Sequence, residues 1–549
     1  TYQADRLNNF FRQMCYYSEY GDHVTAMARE VVEMCGVDGL FLDCMHTSPC
    51  IGYECMQRMK NEGIDWRDPC QLQAFNCRKI IGLGRRIATA AREVKADLML
   101  YFNGIDYESQ AAFGTYLEFE CLPTGGWGYE LLPVGARYLR TLGKPTLNMT
   151  GRFHRSWGDF GGIRTEASLE YDCLYGLANG LRSSIGDHFH PRGDINEAVM
   201  ALDKRIYRRL QRLEPWLEGA RPVVEAALPL LKPYPGYRFM APDDRAAYAR
   251  EFDAVKAGTR VLAELKMQFD VPSLASDWGQ YDLLVLPDFV RFDAELTRRV
   301  RAHLDKGGAI LSSGWSGLES DADRFAFPEW GVEYLGNDPF DPAFVRFDGE
   351  FAAGQPDMPV TLYDRGTCIS AVAGTEVLAT IVAPYYNHHW DGEHGFVYMP
   401  PDRDTGRPAV TLRGNVAHVS HPIFTSYYGS APVPMRTLVE NLLRRLLPCP
   451  LVRVPAAPSF SRVTITSQEG RRMVHILSYV PELRGAATCM IEEPIELRDQ
   501  VVLLRLDGRI PGRVYLAPDE TDLPFAVVNG YIRTVVPRVP GYALVVFED

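Results

Sequence analysis

Two acidic residues follow short apolar runs that resemble buried strands. Asp43 comes directly after residues 39–42, and Glu120 ends the run that begins at Tyr116. Hydrolysis of a glycosidic bond needs two carboxyl groups beside the anomeric carbon, one as acid and one as nucleophile or base. We therefore predict that Asp43 and Glu120 form a catalytic pair. The alternative for Asp43 is a helix cap or a satisfied salt bridge.

Glu118 is the alternative to Glu120 as the acid. Side chains two positions apart on a strand point to the same face, so Glu118 and Glu120 share one. We favour Glu120 because it is nearer the strand end, where solvent and substrate have access. The choice between the two glutamates stays open at this point.

Other polar and aromatic residues follow predicted strand ends, where they could bind the hydroxyl groups or the ring face of a sugar. A single histidine is more often a structural hydrogen-bonding group than a ligand contact, so position alone selects these candidates. The predicted substrate-binding residues are His46, Asn103, Trp127, Tyr129, Arg152, His154, Trp157 and His188.

Residues 1–218 alternate strand-like and helix-like segments, which predicts parallel strands buried under helices. We predict five strands here, whereas a closed (β/α) TIM-type barrel has eight. We therefore expect a barrel whose first three βα units precede Thr1, since an unpaired sheet edge is a liability. An open doubly wound sheet is the alternative. Barrel enzymes place their catalytic residues at the carboxyl ends of the strands, where Asp43 and Glu120 stand.

Two further domains are predicted after the barrel. Residues 219–450 contain βαβ segments typical of a small flavodoxin-like domain. This domain has no nucleotide-binding motif, so we predict that it mediates oligomerisation, as a cyclic homotrimer. Residues 451–549 contain short alternating segments separated by turn residues, which predicts a C-terminal β-sandwich.

Composition excludes several classes of function. A net charge of -12 argues against a nucleic-acid partner. A membrane span would need ~18 consecutive apolar residues, and the chain has no such run. The twelve cysteines form no C-x-x-C pair, which favours reduced thiols in a cytoplasmic protein.

No cofactor or metal is predicted. The Gly82-Leu83-Gly84 sequence lacks the third glycine of a dinucleotide-binding loop, and neither H-E-x-x-H nor a Walker loop occurs. One loop does contain several residues of metal-binding type, but their spacing matches no standard zinc pattern. We interpret these as ordinary loop residues: Cys44, His46, Cys50 and Cys55.

Two of these segments resemble known sequences. Residues 37–43 resemble the strand of α-L-fucosidases that carries the aspartate nucleophile. Residues 119–121, followed by 127–129, are similar to the stretch of family 29 α-L-fucosidases that carries the acid/base glutamate. The order of the three domains resembles family 42 β-galactosidases and, better, the related family 151 α-L-fucosidases.

The resemblance implies a retaining exo-glycosidase that releases a terminal sugar from an oligosaccharide or glycoside. Asp43 would be the nucleophile and Glu120 the acid/base, and α-L-fucosidase activity is the first choice. A β-galactosidase is the alternative within the same class. A protein of another class, a non-catalytic carbohydrate-binding or scaffold protein, is the further alternative.

Overall fold

The computed structural model describes residues 14–46, 49–234, 242–387 and 399–549. The chain divides into two compact units. The first unit comprises Thr1–Glu120, Leu139–Met149 and Leu231–Ala249, and the second comprises Cys121–Tyr138, Thr150–Leu230 and Arg250–Asp549. None of the described helices is long and apolar enough to cross a membrane.

Up to residue 217, helices and strands alternate as the sequence predicts. The five strands are β1 (Gly39–Leu42), β2 (Met99–Phe102), β3 (Leu117–Glu120), β4 (Thr146–Gly151) and β5 (Arg182–Gly186). The helices are α1 (Glu19–Cys35), α2 (Tyr53–Asn61), α3 (Pro69–Val94), α4 (Tyr107–Ala111), α5 (Leu131–Leu139), α6 (Glu166–Ala178), α7 (Glu197–Gln211) and α8 (Glu214–Leu217).

Capping residues fix where the first long helices begin and end. The Ser18 side chain accepts a hydrogen bond from the backbone at the start of α1, and the helix ends at Gly36, whose φ of 58° is left-handed. The Asp68 carboxylate accepts two backbone hydrogen bonds at the start of α3, where Pro69 occupies the first helical position. These local signals explain where both helices begin and where α1 ends.

The strands of the first unit pair in parallel. Strand β1 pairs with β2 from Gly39↔Met99 to Leu42↔Phe102, and β3 pairs with β4 from Leu117↔Thr146 to Glu120↔Met149. No closed barrel forms among the described residues, so the parallel β/α arrangement is observed and barrel closure is not. In each parallel pair the carboxyl ends of the strands lie at the same edge.

One face of β2 carries the core of the first unit. Leu100 and Phe102 are fully buried in one cluster with Leu83 and Ile87 of α3. Tyr101 lies on the other face of β2, near the end of the strand where the candidate residues follow. Because side chains alternate along β2, one face of the strand packs in the core and the other face leads to the candidate residues.

Strands of the middle domain form a nine-stranded sheet in the order β13-β12-β15-β16-β17-β10-β9-β7-β8. The neighbours from β17 to β8 are parallel, and those from β13 to β17 are antiparallel. Its strands are β7 (Ala226–Ala227), β8 (Phe269–Asp270), β9 (Leu283–Leu286), β10 (Ala309–Ser313), β12 (Ala343–Phe347), β13 (Val360–Leu362), β15 (Glu376–Pro384), β16 (Pro401–Arg413) and β17 (Val416–Val419). Also in this region are β11 (Val332–Asn337), β14 (Thr367–Ala371), α9 (Pro242–Glu264), α10 (Ala294–Asp305), α11 (Ile423–Ser430) and α12 (Val433–Leu446).

The parallel half of this sheet is the predicted flavodoxin-like part, and the antiparallel half was not predicted. The first residues of β16 are exposed and polar, so they lack the apolar run that marks a buried strand. The domain is therefore larger and more mixed than its βαβ segments indicate.

The C-terminal part contains two antiparallel sheets, β18-β23-β27-β26 and β25-β24-β28-β20-β19-β6. Val474 and Val545 of the second sheet and Val502 and Ile532 of the first lie in one buried cluster, the arrangement of a β-sandwich. The strands are β6 (Arg221–Pro222), β18 (Val452–Arg453), β19 (Arg462–Gln468), β20 (Arg471–Leu477), β21 (Glu482–Leu483), β22 (Cys489–Met490), β23 (Glu496–Arg505), β24 (Arg513–Ala517), β25 (Thr521–Asp522), β26 (Phe525–Val528), β27 (Tyr531–Pro540) and β28 (Tyr542–Glu548). Strand β6 thus pairs with the C-terminal part, although its residues lie at the start of the range predicted for the middle domain.

A core substitution in β2 tests this packing. We expect Leu100→Ala to lower the free energy of unfolding by ~2–5 kcal/mol, because it removes a fully buried side chain and leaves a cavity. The neighbouring Met99, which is 48% exposed, provides the matched control Met99→Ala. Urea denaturation followed by circular dichroism measures both, and equal midpoints for the two variants would contradict the assignment of faces.

Candidate active site

A single amide group joins the two predicted catalytic carboxylates. Asn103 Nδ2 donates to Asp43 Oδ1 at 2.9 Å and to Glu120 Oε2 at 3.4 Å. Asp43 follows β1, Asn103 follows β2, and Glu120 ends β3. The structure therefore brings together three residues that lie on three different strands and up to 77 positions apart in sequence.

The turn after β1 holds Asp43 in a defined position. The backbone N–H of Cys44 donates to Asp43 Oδ1 at 2.8 Å, and Cys44 has a left-handed φ of 56°. Such a φ is uncommon for a residue with a side chain and indicates that the turn is constrained. The backbone N–H of Met45 also donates to the carbonyl oxygen of Asn103 at 2.7 Å, which ties this turn to the end of β2.

The shared amide limits the separation of the two carboxylates. The two bonded oxygens cannot be farther apart than the sum of their distances to Asn103 Nδ2. The two carboxyl groups are therefore close enough to act on one glycosidic bond. The arrangement is thus compatible with direct attack by one carboxylate while the other transfers a proton.

Glu118 lies on the same face of β3 as Glu120 but deeper. Its side chain is only 3% exposed, and its Oε1 atom has no hydrogen-bond partner. Burial first, and then the charges of Glu120 and Asp43, raise the pKa of Glu118 to about 7. Three carboxyl groups therefore face the same space at the ends of β1 and β3.

An aromatic layer lies beneath these carboxyl groups. The rings of Phe41 and Tyr101 are 5.1 Å apart, and those of Tyr101 and Tyr116 are stacked at 5.3 Å. Each of these residues stands two positions before a polar residue on the same strand face. These aromatic rings form an apolar surface below the carboxyl groups.

His46 is placed close to the end of β2. A Cβ atom at Gly104 would lie 2.4 Å from His46 Nδ1, so the imidazole packs directly against the backbone beside Asn103. Gly104 also has a φ of 108°, which favours glycine for a second reason. Of the predicted substrate-binding residues, His46 and Asn103 thus lie in the first unit with the carboxylates.

The second unit holds another candidate group, formed by Trp157 and His188. Their rings are stacked at 5.5 Å with an interplanar angle of 17°. A Cβ atom at Gly186 would lie 2.4 Å from the Trp157 ring, and one at Gly151 would lie 3.3 Å from it. The indole therefore covers the carboxyl ends of β4 and β5, and this contact favours glycine at position 186 most strongly.

Arg152 is buried, and its guanidinium donates hydrogen bonds to other groups of the protein. Its Nε donates to Asp187 Oδ1 at 2.7 Å, and its Nη1 donates to the carbonyl oxygens of Phe160 and Gly162 at 3.1 and 2.8 Å. These bonds hold the loop that carries Trp157. Arg152 is therefore a structural residue of this loop, and its predicted contact with substrate stays a prediction.

The remaining predicted contacts are more dispersed. The phenol of Tyr129 is buried and hydrogen-bonded to Ser168 Oγ at 2.7 Å, whereas Trp127 is 40% exposed. His154 is half-buried on the loop after β4. The substrate-binding roles of these three residues stay predictions.

Asp203 was missed by the sequence analysis. It lies on α7, its Oδ1 atom is buried without a hydrogen-bond partner, and its pKa is raised to about 6, first by burial and then by the charge of Asp187. The sequence contains a signal for this residue, because the acidic Asp203 interrupts the buried face of α7 that includes Leu202 and Ile206.

Three thiols form a group that could hold a metal ion. The Sγ atoms of Cys15, Cys50 and Cys55 lie within 4.8 Å of one another, and thiolates are ligands of zinc. This group differs from the set of loop residues named in the sequence analysis. It includes Cys15, and it does not include Cys44 or His46. The reason is tertiary, since Cys15 comes from the segment before α1.

Comparison with known proteins places this geometry in context. No family model matches the chain. The α-L-fucosidase isoenzyme 2 from Paenibacillus thiaminolyticus superposes with a TM-score of 0.90 at 29% identity, covering 100% of this chain and 84% of that chain. The predicted resemblance is confirmed.

Other relatives are β-galactosidases. The cold-adapted β-galactosidase from Rahnella sp. R3 superposes with a TM-score of 0.68 at 15% identity. The superposition covers 98% of this chain and 83% of the β-galactosidase chain, which shows a shared fold. The β-galactosidase BbgII of Bifidobacterium bifidum is 31% identical over 141 residues. That match spans 24% of this chain and 20% of the relative.

The raised pKa of Glu118 predicts a pH-dependent stability. A native pKa of about 7 instead of 4.5 means that ionisation disfavours the folded state, so stability falls as pH rises from about 4.5 to about 7. Glu118→Gln cannot ionise, and we expect it to gain up to ~3 kcal/mol over the wild type above pH 7. Melting temperatures at pH 4.5 and 8 measure this. The exposed Glu93→Gln is the control, and a Glu118→Gln gain that is equal at both pH values would contradict the burial argument.

Proposed function

We propose that this chain is a retaining α-L-fucosidase, in which Asp43 is the nucleophile and Glu120 the acid/base. The observation that carries the proposal is the Asn103 amide, which binds both carboxylates and so keeps them close enough to act on the same glycosidic bond. The full-length similarity to a solved α-L-fucosidase supports the choice of sugar. The aspartate also follows the strand whose sequence resembles the nucleophile strand of that enzyme class.

The reaction follows from the positions of these groups. Asp43 Oδ attacks the anomeric carbon as the bond from that carbon to the glycosidic oxygen breaks, and the Glu120 proton passes to that oxygen. A glycosyl ester on Asp43 results. Glu120 then takes a proton from water, whose oxygen attacks the anomeric carbon and releases Asp43. Asn103 orients both carboxylates throughout.

Substrate binding and assembly complete the proposal. The stacked rings of Trp157 and His188 offer an apolar surface suited to a pyranose face.

We propose that the middle domain forms a homotrimer, consistent with its lack of a nucleotide motif. The twelve cysteines form no disulfide, which supports a cytoplasmic location.

β-Galactosidase activity is the second candidate, because several similar structures and the partial match to BbgII are β-galactosidases. A panel of p-nitrophenyl glycosides separates the candidates. Release of nitrophenol from the α-L-fucoside supports the proposal, and release from the β-D-galactoside instead would replace it. Binding of fucose without any turnover would indicate a non-catalytic protein.

Replacement of the nucleophile is the first test. We expect Asp43→Gly to lower kcat by at least ~10³-fold, because no covalent intermediate can form. Added azide should restore turnover and give a glycosyl azide of inverted configuration, since azide fills the vacated space. Asp38→Gly, an exposed aspartate at the other end of β1, is the matched control. Wild-type activity in Asp43→Gly would exclude this residue as the nucleophile.

The acid/base role predicts a dependence on the leaving group. We expect Glu120→Ala to lower kcat/KM by ~10²–10⁴-fold for poor leaving groups such as methyl, because protonation of the glycosidic oxygen is lost. The dinitrophenyl glycoside needs little protonation and should lose much less. Steady-state kinetics on the two substrates measure the ratio. An equal loss on both would assign Glu120 a different role.

A further inference from the structure

We propose that the three clustered thiols of the first unit form a redox site that reacts with low-molecular-weight disulfides. Cys15 attacks the small disulfide, and Cys55 then displaces the bound half of it to form a Cys15–Cys55 disulfide. Cys50 lies beside both sulfur atoms. This inference goes beyond the proposed glycosidase function and does not depend on it.

The first observation is a direct contact between two thiols that are far apart in sequence. Cys15 Sγ lies 3.4 Å from Cys55 Sγ, within hydrogen-bonding distance, and both sulfur atoms lie within 4.8 Å of Cys50 Sγ. Cys15 comes from the segment before α1, whereas Cys50 precedes α2 and Cys55 lies within it. A disulfide bond is ~2.05 Å long, so the Cys15 and Cys55 sulfur atoms need only a small further approach to form one.

The three thiols differ in their access to solvent, and this difference assigns their roles. Cys15 is partly exposed, whereas Cys50 is 2% exposed and Cys55 is fully buried. Attack on a small disulfide depends on access to the attacking sulfur, so Cys15 is the one of the three that meets it. The buried Cys55 is in contact only with the sulfur of Cys15, and it therefore resolves the mixed disulfide formed there.

A buried cation lies beside these sulfur atoms. The Lys79 side chain is 3% exposed, and its Nζ lies 3.9 Å from Cys55 Sγ and donates to Asn76 Oδ1 at 2.6 Å. Met59 and Phe75 pack in the same buried cluster as Cys55, so this charge acts in apolar surroundings. A neighbouring ammonium favours the thiolate, which is the form that attacks a disulfide.

The two steps balance with the small disulfide as the only oxidant. The Cys15 thiolate bonds to one sulfur of that molecule, whose S–S bond breaks to release one small thiolate. The Cys55 thiol then gives up its proton and attacks the Cys15 sulfur, which releases the second small thiolate. The two cysteines lose two electrons and two protons, and the small disulfide becomes two thiols. An excess of small thiol reverses both steps.

The new bond would constrain the segment that carries the proposed nucleophile. It closes a loop from residue 15 to residue 55, which contains α1, β1 and Asp43. A cross-link lowers the conformational entropy of the unfolded chain, so the oxidised form should be the more stable one. We therefore expect oxidation to raise the midpoint of thermal unfolding.

Oxidised glutathione is the probe for this reaction. The reduced chain is treated with it, free thiols are blocked with N-ethylmaleimide, and the peptides are identified by mass spectrometry. We expect a Cys15–Cys55 disulfide in the wild type. Cys55→Ser should stop at the mixed disulfide, with one glutathione on Cys15, and should lose the rise in unfolding midpoint. Cys35→Ser removes an exposed thiol at the end of α1 and is the matched control, which should form the disulfide as the wild type does.

A second variant covers the case in which the buried Cys55→Ser does not fold. Cys15→Ser changes a partly exposed position, and it should leave Cys50 and Cys55 unmodified by glutathione. Mixed disulfides on exposed cysteines without any internal disulfide would overturn the proposal, as would a Cys15–Cys50 disulfide in place of the expected one. Stoichiometric zinc in the purified chain, with these thiols inert until a chelator is added, would overturn it in favour of a metal site. These readouts need no glycoside, so they hold whether or not the proposed hydrolysis is observed.

Discussion

The repulsion between carboxyl groups is the constraint on which the first unit depends. The charges of Asp43 and Glu120 both raise the pKa of Glu118, and among the described residues no cation opposes them. A neutral donor, the Asn103 amide, binds Asp43 and Glu120, and it follows β2, which pairs in parallel with β1. An arginine or lysine at position 103 would hold the anions more tightly but would also neutralise the nucleophile. A neutral amide positions both groups without neutralising either.

The second unit supports chemistry in a different way. Two of its buried charges form an ion pair, Arg164 with Asp172, which has the Thr150 hydroxyl as a further partner. Arg152 uses its guanidinium in the same manner to hold the loop of Trp157. Paired charges of this kind fix backbone geometry, because breaking either pair leaves an uncompensated buried charge. The Trp157 and His188 rings are thereby held on a rigid base, as their proposed role in binding requires.

Sequence patterns located most of the elements before the sheets were known. The five strands up to β5 and the helices between them follow from apolar runs, caps and the helical period, all of which are local. The antiparallel strands of the middle domain were missed because strands with one exposed edge or face carry no continuous apolar run. The pairing of β6 with β19 was missed for another reason, since two residues give no periodic signal and the partner lies more than 240 positions away.

The sequence by itself determined that Asp43 and Glu120 end strands and that Glu118 and Glu120 share a face, because both follow from the period of a strand. It could not determine that Asn103 would bridge the two carboxylates or that Cys15 would join Cys50 and Cys55. It favoured Glu120 as the more accessible glutamate, but it could not give the burial of either one. Those features depend on contacts between segments far apart in the chain, and on how much water the surrounding side chains exclude. Only the tertiary structure decides distance and burial, and these two quantities set the charge of a carboxyl group.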